Sequence, residues 1–153
     1  MRLLIDCGNS SVKFALNSKL KINKIITVEI KNDKKIKLNL LKTLKVFLKN
    51  KNIKKIYLTF VNKEIKDILF DIIRKQFSTI DIKILRTRKF KDFKLTYKSP
   101  NTFGMDRFFN CLGSKVVYPN SATIVVDIGT ATTVDVIDKE FRYLGGLIFW
   151  LIM

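Results

Sequence analysis

Hydrophobic and polar positions along the chain change period several times, and each change marks a predicted element. Residues 2–6 form an apolar run that reads as a buried strand. Lys13-Phe14-Ala15-Leu16 and residues 21–30 read as two more, with a turn at Asn17-Ser18, so the chain opens on a β-meander. Leu38, Leu41, Leu44, Phe47 and Leu48 then recur at helical spacing, which predicts an amphipathic helix over 38–49 with lysines outward. A strand at 55–61 follows, rich in aromatic and branched residues. A second helix carries Ile65, Ile68, Leu69, Ile72 and Ile73, with Asn62 as its N-cap, and a strand covers 80–85. Residues 86–99 are basic and irregular. A third helix is predicted over 105–117, with Phe108, Phe109 and Leu112 on its apolar side. Tyr118-Pro119-Asn120-Ser121 breaks the chain, and three strands follow at 122–127, 133–138 and 141–148. The order is βββαβαβα, then βββ. This predicts an α/β protein with a first domain over 1–117 and the start of a second over 118–153.

The two meanders share a turn. Leu3-Leu4-Ile5-Asp6-Cys7-Gly8-Asn9-Ser10-Ser11 is an apolar strand, Asp-x-Gly, then small polar residues. Thr123-Ile124-Val125-Val126-Asp127-Ile128-Gly129-Thr130-Ala131-Thr132-Thr133 repeats the pattern. Asp-x-Gly alone is common in turns. Two copies, each after an apolar strand, predict a duplicated fold with two phosphate-sized loops. Glycine lets a phosphate approach the backbone, and successive N–H groups with hydroxyl side chains form an anion-binding concavity. Asp127, where a buried strand emerges, suits a carboxylate holding a cation.

Composition narrows the chemistry. Thirty Lys and Arg against thirteen Asp and Glu give +17, which favours anionic partners. The lysines are scattered, and a lysine-rich solvated surface is the better account of them. There is no histidine, so imidazole bases and histidine-dependent zinc sites are excluded. Two cysteines, Cys7 and Cys111, and no apolar leader fit a reduced, cytoplasmic setting. No stretch is long enough to span a membrane as a helix.

Four motifs occur in a telling order: Asp6-Cys7-Gly8-Asn9-Ser10, Gly104-Met105-Asp106-Arg107, Asp127-Ile128-Gly129-Thr130-Ala131-Thr132-Thr133-Val134-Asp135, and Leu144-Gly145-Gly146-Leu147-Ile148. Together they resemble type III pantothenate kinases, within the actin-like (ribonuclease H-like) superfamily of acetate and sugar kinases and Hsp70. The resemblance implies a duplicated actin-like α/β fold and transfer of the γ-phosphoryl of ATP to pantothenate. It implies that Asp6, Cys7, Gly8, Asn9, Ser10, Ser11, Val12 and Lys13 form an ATP loop, with Thr130 a further ATP contact. Asp106 is implied as the general base, and Tyr97, Gly104, Met105, Asp106 and Arg107 as the substrate side. Asp127 is implied as ligand of a monovalent cation, potassium or ammonium, beside ATP with Mg2+. A homodimer is implied for the full-length family member. The family's Pro-Gly after Gly-Gly-x-Ile is replaced by Phe149-Trp150, and the family's later helices and strands have no counterpart. On this reading the second domain is incomplete, and the chain alone turns over little or not at all.

Several residues keep a structural reading beside the functional one. Asp106 is also an ordinary helix-start acid. Arg107 reads as a ligand of substrate oxygens or as a surface salt bridge. Asp135 reads as a site acid or as an inward hydrogen-bond acceptor, and Tyr97 as a pocket wall or a surface tyrosine. A non-catalytic actin-like module that binds a nucleotide or a protein is the competing function. Nucleic-acid binding rests on charge alone.

Overall fold

A computed structural model describes residues 1–19, 21–31, 35–86, 92–96 and 103–150. The chain divides into two compact units, residues 1–85 and 86–153. This division falls earlier than the 117/118 boundary expected from the Pro119 break.

The first unit is a five-stranded sheet with two helices. Its elements are β1 (Arg2–Cys7), β2 (Ser11–Ser18), β3 (Lys21–Glu29), α1 (Ile36–Phe47), β4 (Lys55–Phe60), α2 (Lys63–Gln76) and β5 (Ile82–Ile84). The sheet order is β3-β2-β1-β4-β5. The meander β1–β3 is antiparallel, and β4 and β5 add in parallel on the other side of β1. Parallel pairing requires a crossover, and α1 and α2 supply the two. Alternation along the strands puts Leu3, Ile5, Cys7, Val12, Phe14, Leu16, Ile56 and Leu58 into one buried cluster. They pack with Leu40 and Leu44 of α1 and with Ile65, Leu69, Ile72 and Ile73 of α2. The Asn62 side chain accepts from the Ile65 N–H at 3.0 Å and starts α2 as predicted.

Two details differ from the sequence reading. The turn expected at Asn17-Ser18 lies beyond them, because β2 continues through a register shift at Leu16/Asn17 and the reversal falls at Lys19, with φ 46°. Asn17 Nδ2 instead donates to the Lys21 carbonyl at 3.1 Å across the hairpin. The fifth strand is three residues rather than the six of 80–85.

The second unit contains β6 (Lys94–Leu95), α3 (Met105–Val117), β7 (Thr123–Ile128), β8 (Ala131–Ile137) and β9 (Arg142–Trp150). The sheet order is β6-β9-β8-β7. β6 lies in the stretch read as irregular and pairs in parallel with Arg142 and Tyr143 of β9. A two-residue strand carries no periodicity, so no pattern announces it. Helix α3 spans the predicted residues but packs on β7 and β8, which accounts for the earlier division of the chain. The core here is small and aromatic: Phe93, Phe103, Phe108, Phe141 and Tyr143 with Cys111 and Ile137. Phe93 lies 5.0 Å from Phe108 and 4.8 Å from Phe141, centroid to centroid, in edge-on or tilted contacts.

The face of this sheet away from α3 is open. Register places Ile124, Val126, Ile128, Leu147 and Phe149 together on it, and each is at least half exposed. Apolar area on this scale is unusual for a solvated surface. The environment-sensitive dye ANS is therefore expected to fluoresce strongly with the native chain. Ile124→Lys combined with Phe149→Lys should remove most of that signal while the far-UV circular dichroism stays unchanged.

Candidate active site

The first loop closes between β1 and β2. Gly8 donates its N–H to the Ser11 carbonyl at 3.0 Å, and Ile30 N–H reaches the Ser10 carbonyl at 2.8 Å. A Cβ at position 8 would lie 3.3 Å from the Ser11 oxygen, a tight contact that glycine avoids. Asn9, Ser10 and Lys13 are exposed, giving the loop a polar and cationic rim. Asp6 shares the sheet face opposite the core with its ladder partners Lys13 and Thr59. Cys7 and Val12 point the other way and are fully buried. Of the eight residues expected around ATP, these two can contribute only backbone. Burial, with a smaller push from Asp6, raises the Cys7 thiol to about 12, so it is a neutral core group at physiological pH.

The second loop is one residue tighter. Asp6 pairs with Lys13, seven residues on, whereas Asp127 pairs with Thr133, six on. Gly129 N–H donates to the Ala131 carbonyl at 3.2 Å, and Gly129 and Thr130 form the exposed tip. Asp127 is exposed beside it, at the end of β7.

Helix α3 brings the third motif to the same sheet. Gly104, in an extended conformation, precedes the helix, and Asp106 sits in its first turn. The Asp106 carboxylate accepts from the Arg107 N–H at 2.8 Å, which satisfies one of the donors left open at a helix start. A Cβ at 104 would meet Asp106 Oδ1 at 2.3 Å. The space beside Gly104, on the side implied to face substrate, is thus taken by the Asp106 carboxylate itself. Met105 is half-buried against the aromatic core. Tyr97 lies outside the described residues.

Arg107 forms the salt bridge of its structural reading, but in the core rather than at the surface. It is 5% exposed and forms a buried ion pair with Asp135, which is 1% exposed. Nε and Nη2 donate to Asp135 Oδ1 at 3.0 and 2.6 Å. Nη2 also donates to the Tyr143 hydroxyl at 2.7 Å, and that hydroxyl donates to Asp135 Oδ1 at 2.8 Å. The guanidinium lies 5.1 Å from the Phe103 ring centroid. Burial first, and the bond to Asp135 second, push the Tyr143 phenol well above its usual range. The charge expected at substrate oxygens or at the surface instead fixes α3 to β8 and β9. Asp135 follows its structural reading, as an inward acceptor.

One residue at the site gave no sequence signal. Asn110 stands one helical turn after Asp106, and its Nδ2 donates to Asp127 Oδ2 at 2.8 Å. Further along, Ser114 Oγ lies 3.3 Å from Thr123 Oγ1. Arg107, Asn110 and Ser114 thus form a polar stripe that meets Asp135, Asp127 and Thr123. The second unit thereby collects Asp106, Asn110, Asp127 and the Gly129-Thr130 tip. Among the described residues no three His, Cys, Asp or Glu side chains gather to hold a metal. Asp127 itself supplies carboxylate oxygens, a donor type a hard cation takes, and the Asn110 amide N–H orients one of them.

The family model for type III pantothenate kinase matches residues 2–149. A type III pantothenate kinase of Chlorobaculum parvum is 50% identical over 56 residues, 37% of this chain and 21% of that protein. One of Pseudoalteromonas translucida is 42% identical over 62 residues, 40% of this chain and 26% of that protein. The matched stretches therefore span about a quarter or less of these curated relatives. Among solved structures, a Ppx/GppA phosphatase of Aquifex aeolicus aligns with TM-score 0.56 at 12% identity, covering 97% of this chain and 52% of that one. The ethanolamine utilization protein EutJ of Carboxydothermus hydrogenoformans aligns with TM-score 0.52 at 10% identity, covering 96% and 50%. At such identities the likeness is one of fold, and the fold is the actin-like α/β fold. No helix among the described residues is long and apolar enough to cross a membrane.

The second glycine of the Gly-Gly pair in β9 is explained by the ion pair and the Val134 carbonyl beside it, the first by its backbone conformation. Gly145 has φ +149°, and a Cβ at Gly146 would lie 2.4 Å from the Val134 carbonyl and 2.6 Å from both Arg107 Nη2 and Asp135 Oδ1. Gly146→Ala is expected to lower stability by about 1–3 kcal/mol through overpacking. Urea unfolding followed by Trp150 fluorescence would measure it, and an unchanged midpoint would show that the pair has room to move.

Proposed function

Because the chain belongs to the type III pantothenate kinase family, we propose that it serves the ATP-dependent phosphorylation of pantothenate to 4'-phosphopantothenate, the entry to coenzyme A synthesis. The observation that carries this reading is the placement of Asp106 on the first turn of α3, one turn from the Asn110–Asp127 contact beside the second loop. Phosphoryl transfer needs little covalent chemistry from the protein and relies on positioning and neutralised charge. In this reading the two glycine turns present backbone N–H groups and hydroxyls to the phosphates, with Lys13 neutralising charge at the first. Asp106 accepts the proton of the pantothenate hydroxyl as that oxygen attacks the γ-phosphorus. Met105 and Gly104 shape its turn, and Arg107 holds it in place from within the core.

ATP would arrive as its Mg2+ complex, the metal supplying further neutralisation of phosphate charge. A potassium or ammonium ion belongs at Asp127, where it would offset phosphate charge. The intact protein works as a homodimer in the cytoplasm. The open apolar face on β7 and β9 favours one alternative, a nucleotide-binding module that acts by docking a protein partner rather than by turnover.

The two readings separate on Asp106. In the intact protein Asp106→Asn should retain binding of labelled ATP and lose pantothenate phosphorylation by ~10²–10⁴-fold, the range for a general base. Transfer at the unmodified rate would remove Asp106 from that role. Tight ATP binding with no pantothenate-dependent turnover in the unmodified protein would favour the docking module.

A further inference from the structure

Asp127 cannot hold a cation alone, and the structure offers a further oxygen beside it. Thr133 is the direct ladder partner of Asp127, so the two side chains rise from the same face of the sheet, the face covered by α3. Directly opposed residues of an antiparallel pair have Cβ atoms roughly 4.5–5.5 Å apart. The Thr133 hydroxyl oxygen is buried and has no hydrogen-bond partner among the described residues. A hydroxyl removed from water without a partner is costly, and such groups in native structures point to an ion or water that completes them. On the other side, Asn110 donates to Asp127 Oδ2 at 2.8 Å, which fixes the carboxylate and leaves Oδ1 for another ligand.

We propose that Thr133 Oγ1 is a second protein ligand of the monovalent cation at Asp127, with Asn110 as the positioning residue that aims the carboxylate. This rests on the cation role assigned to Asp127 in the kinase reading. The hydroxyl ligates through a lone pair and stays protonated, so no proton is exchanged. A neutral oxygen beside a carboxylate suits an ion of one charge, and among the described residues no three His, Cys, Asp or Glu side chains gather to hold a divalent ion.

The test is thermal unfolding of the chain in KCl against choline chloride at equal ionic strength, since an ion that binds only the folded state raises Tm. The unmodified chain should gain Tm with K+, and Asp127→Asn should abolish the gain. Thr133→Val should raise the half-saturating K+ concentration by about tenfold or more, in line with the loss of a metal-shell partner. Thr133→Ser should restore it. Asn110→Ala should weaken the response in the same direction. In choline chloride the valine variant should be at least as stable as the unmodified chain, because the stranded hydroxyl is gone. An unchanged K+ response in Thr133→Val, or no K+ response in the unmodified chain, overturns the proposal. Labelled-ATP binding is read in parallel: binding without a K+ response sinks this inference and leaves the kinase reading standing. A K+ response without ATP binding does the reverse.

Discussion

The Arg107–Asp135 ion pair is the constraint on which the second unit depends. Two opposite charges are removed from water in the middle of a small aromatic core, at 5% and 1% exposure. Desolvation on that scale costs several kcal/mol per ion and is offset only by close geometry with further hydrogen bonds. Both conditions are met. The guanidinium grips one carboxylate oxygen with two nitrogens, and the Tyr143 hydroxyl bridges cation and anion. Three elements are joined by this triad: α3 through Arg107, β8 through Asp135 and β9 through Tyr143. The glycine at 146 follows from it, since any side chain there would occupy the same space.

The candidate site is a consequence of that grip. Asp106 is next to Arg107, and Asn110 is three residues further along the same helix, so fixing Arg107 fixes both. Asp106 is thereby held in an exposed first turn with its carboxylate tied to the backbone, while Asn110 reaches Asp127. The Gly-x-Asp-Arg sequence is thus two devices in four residues. Gly104 and Asp106 form the chemical end, and Arg107 anchors it. This division of labour places a polar, solvent-facing acid directly beside one of the most buried charges in the chain.

The regular elements were legible because their periods are strong. The apolar run of β1, the stripes of α1 and α2 and the Asn62 cap all predict what forms. The repeated Asp-x-Gly turns were legible for the same reason, since a motif that recurs after an apolar strand is informative where one copy is not. What escaped the sequence depends on tertiary partners. Arg107 beside an exposed acid reads as a surface or site residue, and only the packing of α3 on β8 shows that it is buried. Asn110 has no motif; its one visible trace is the i, i+3, i+7 spacing of Arg107, Asn110 and Ser114, a polar stripe on a helix whose apolar side had already been assigned. The helix was grouped with the first unit because Pro119 is the stronger local break. Its side chains pair with β7 and β8 across that break.

The claim that this ion pair holds the helix bearing Asp106 is tested most directly by a double-mutant cycle on Arg107→Met and Asp135→Leu, read by urea unfolding through Trp150, the one tryptophan of the chain. Each single substitution strands a buried charge and should cost about 3–5 kcal/mol. The double substitution removes both charges and should cost less than either single one, with a coupling energy above about 3 kcal/mol. Losses that simply add, or single variants as stable as the unmodified chain, would contradict the account.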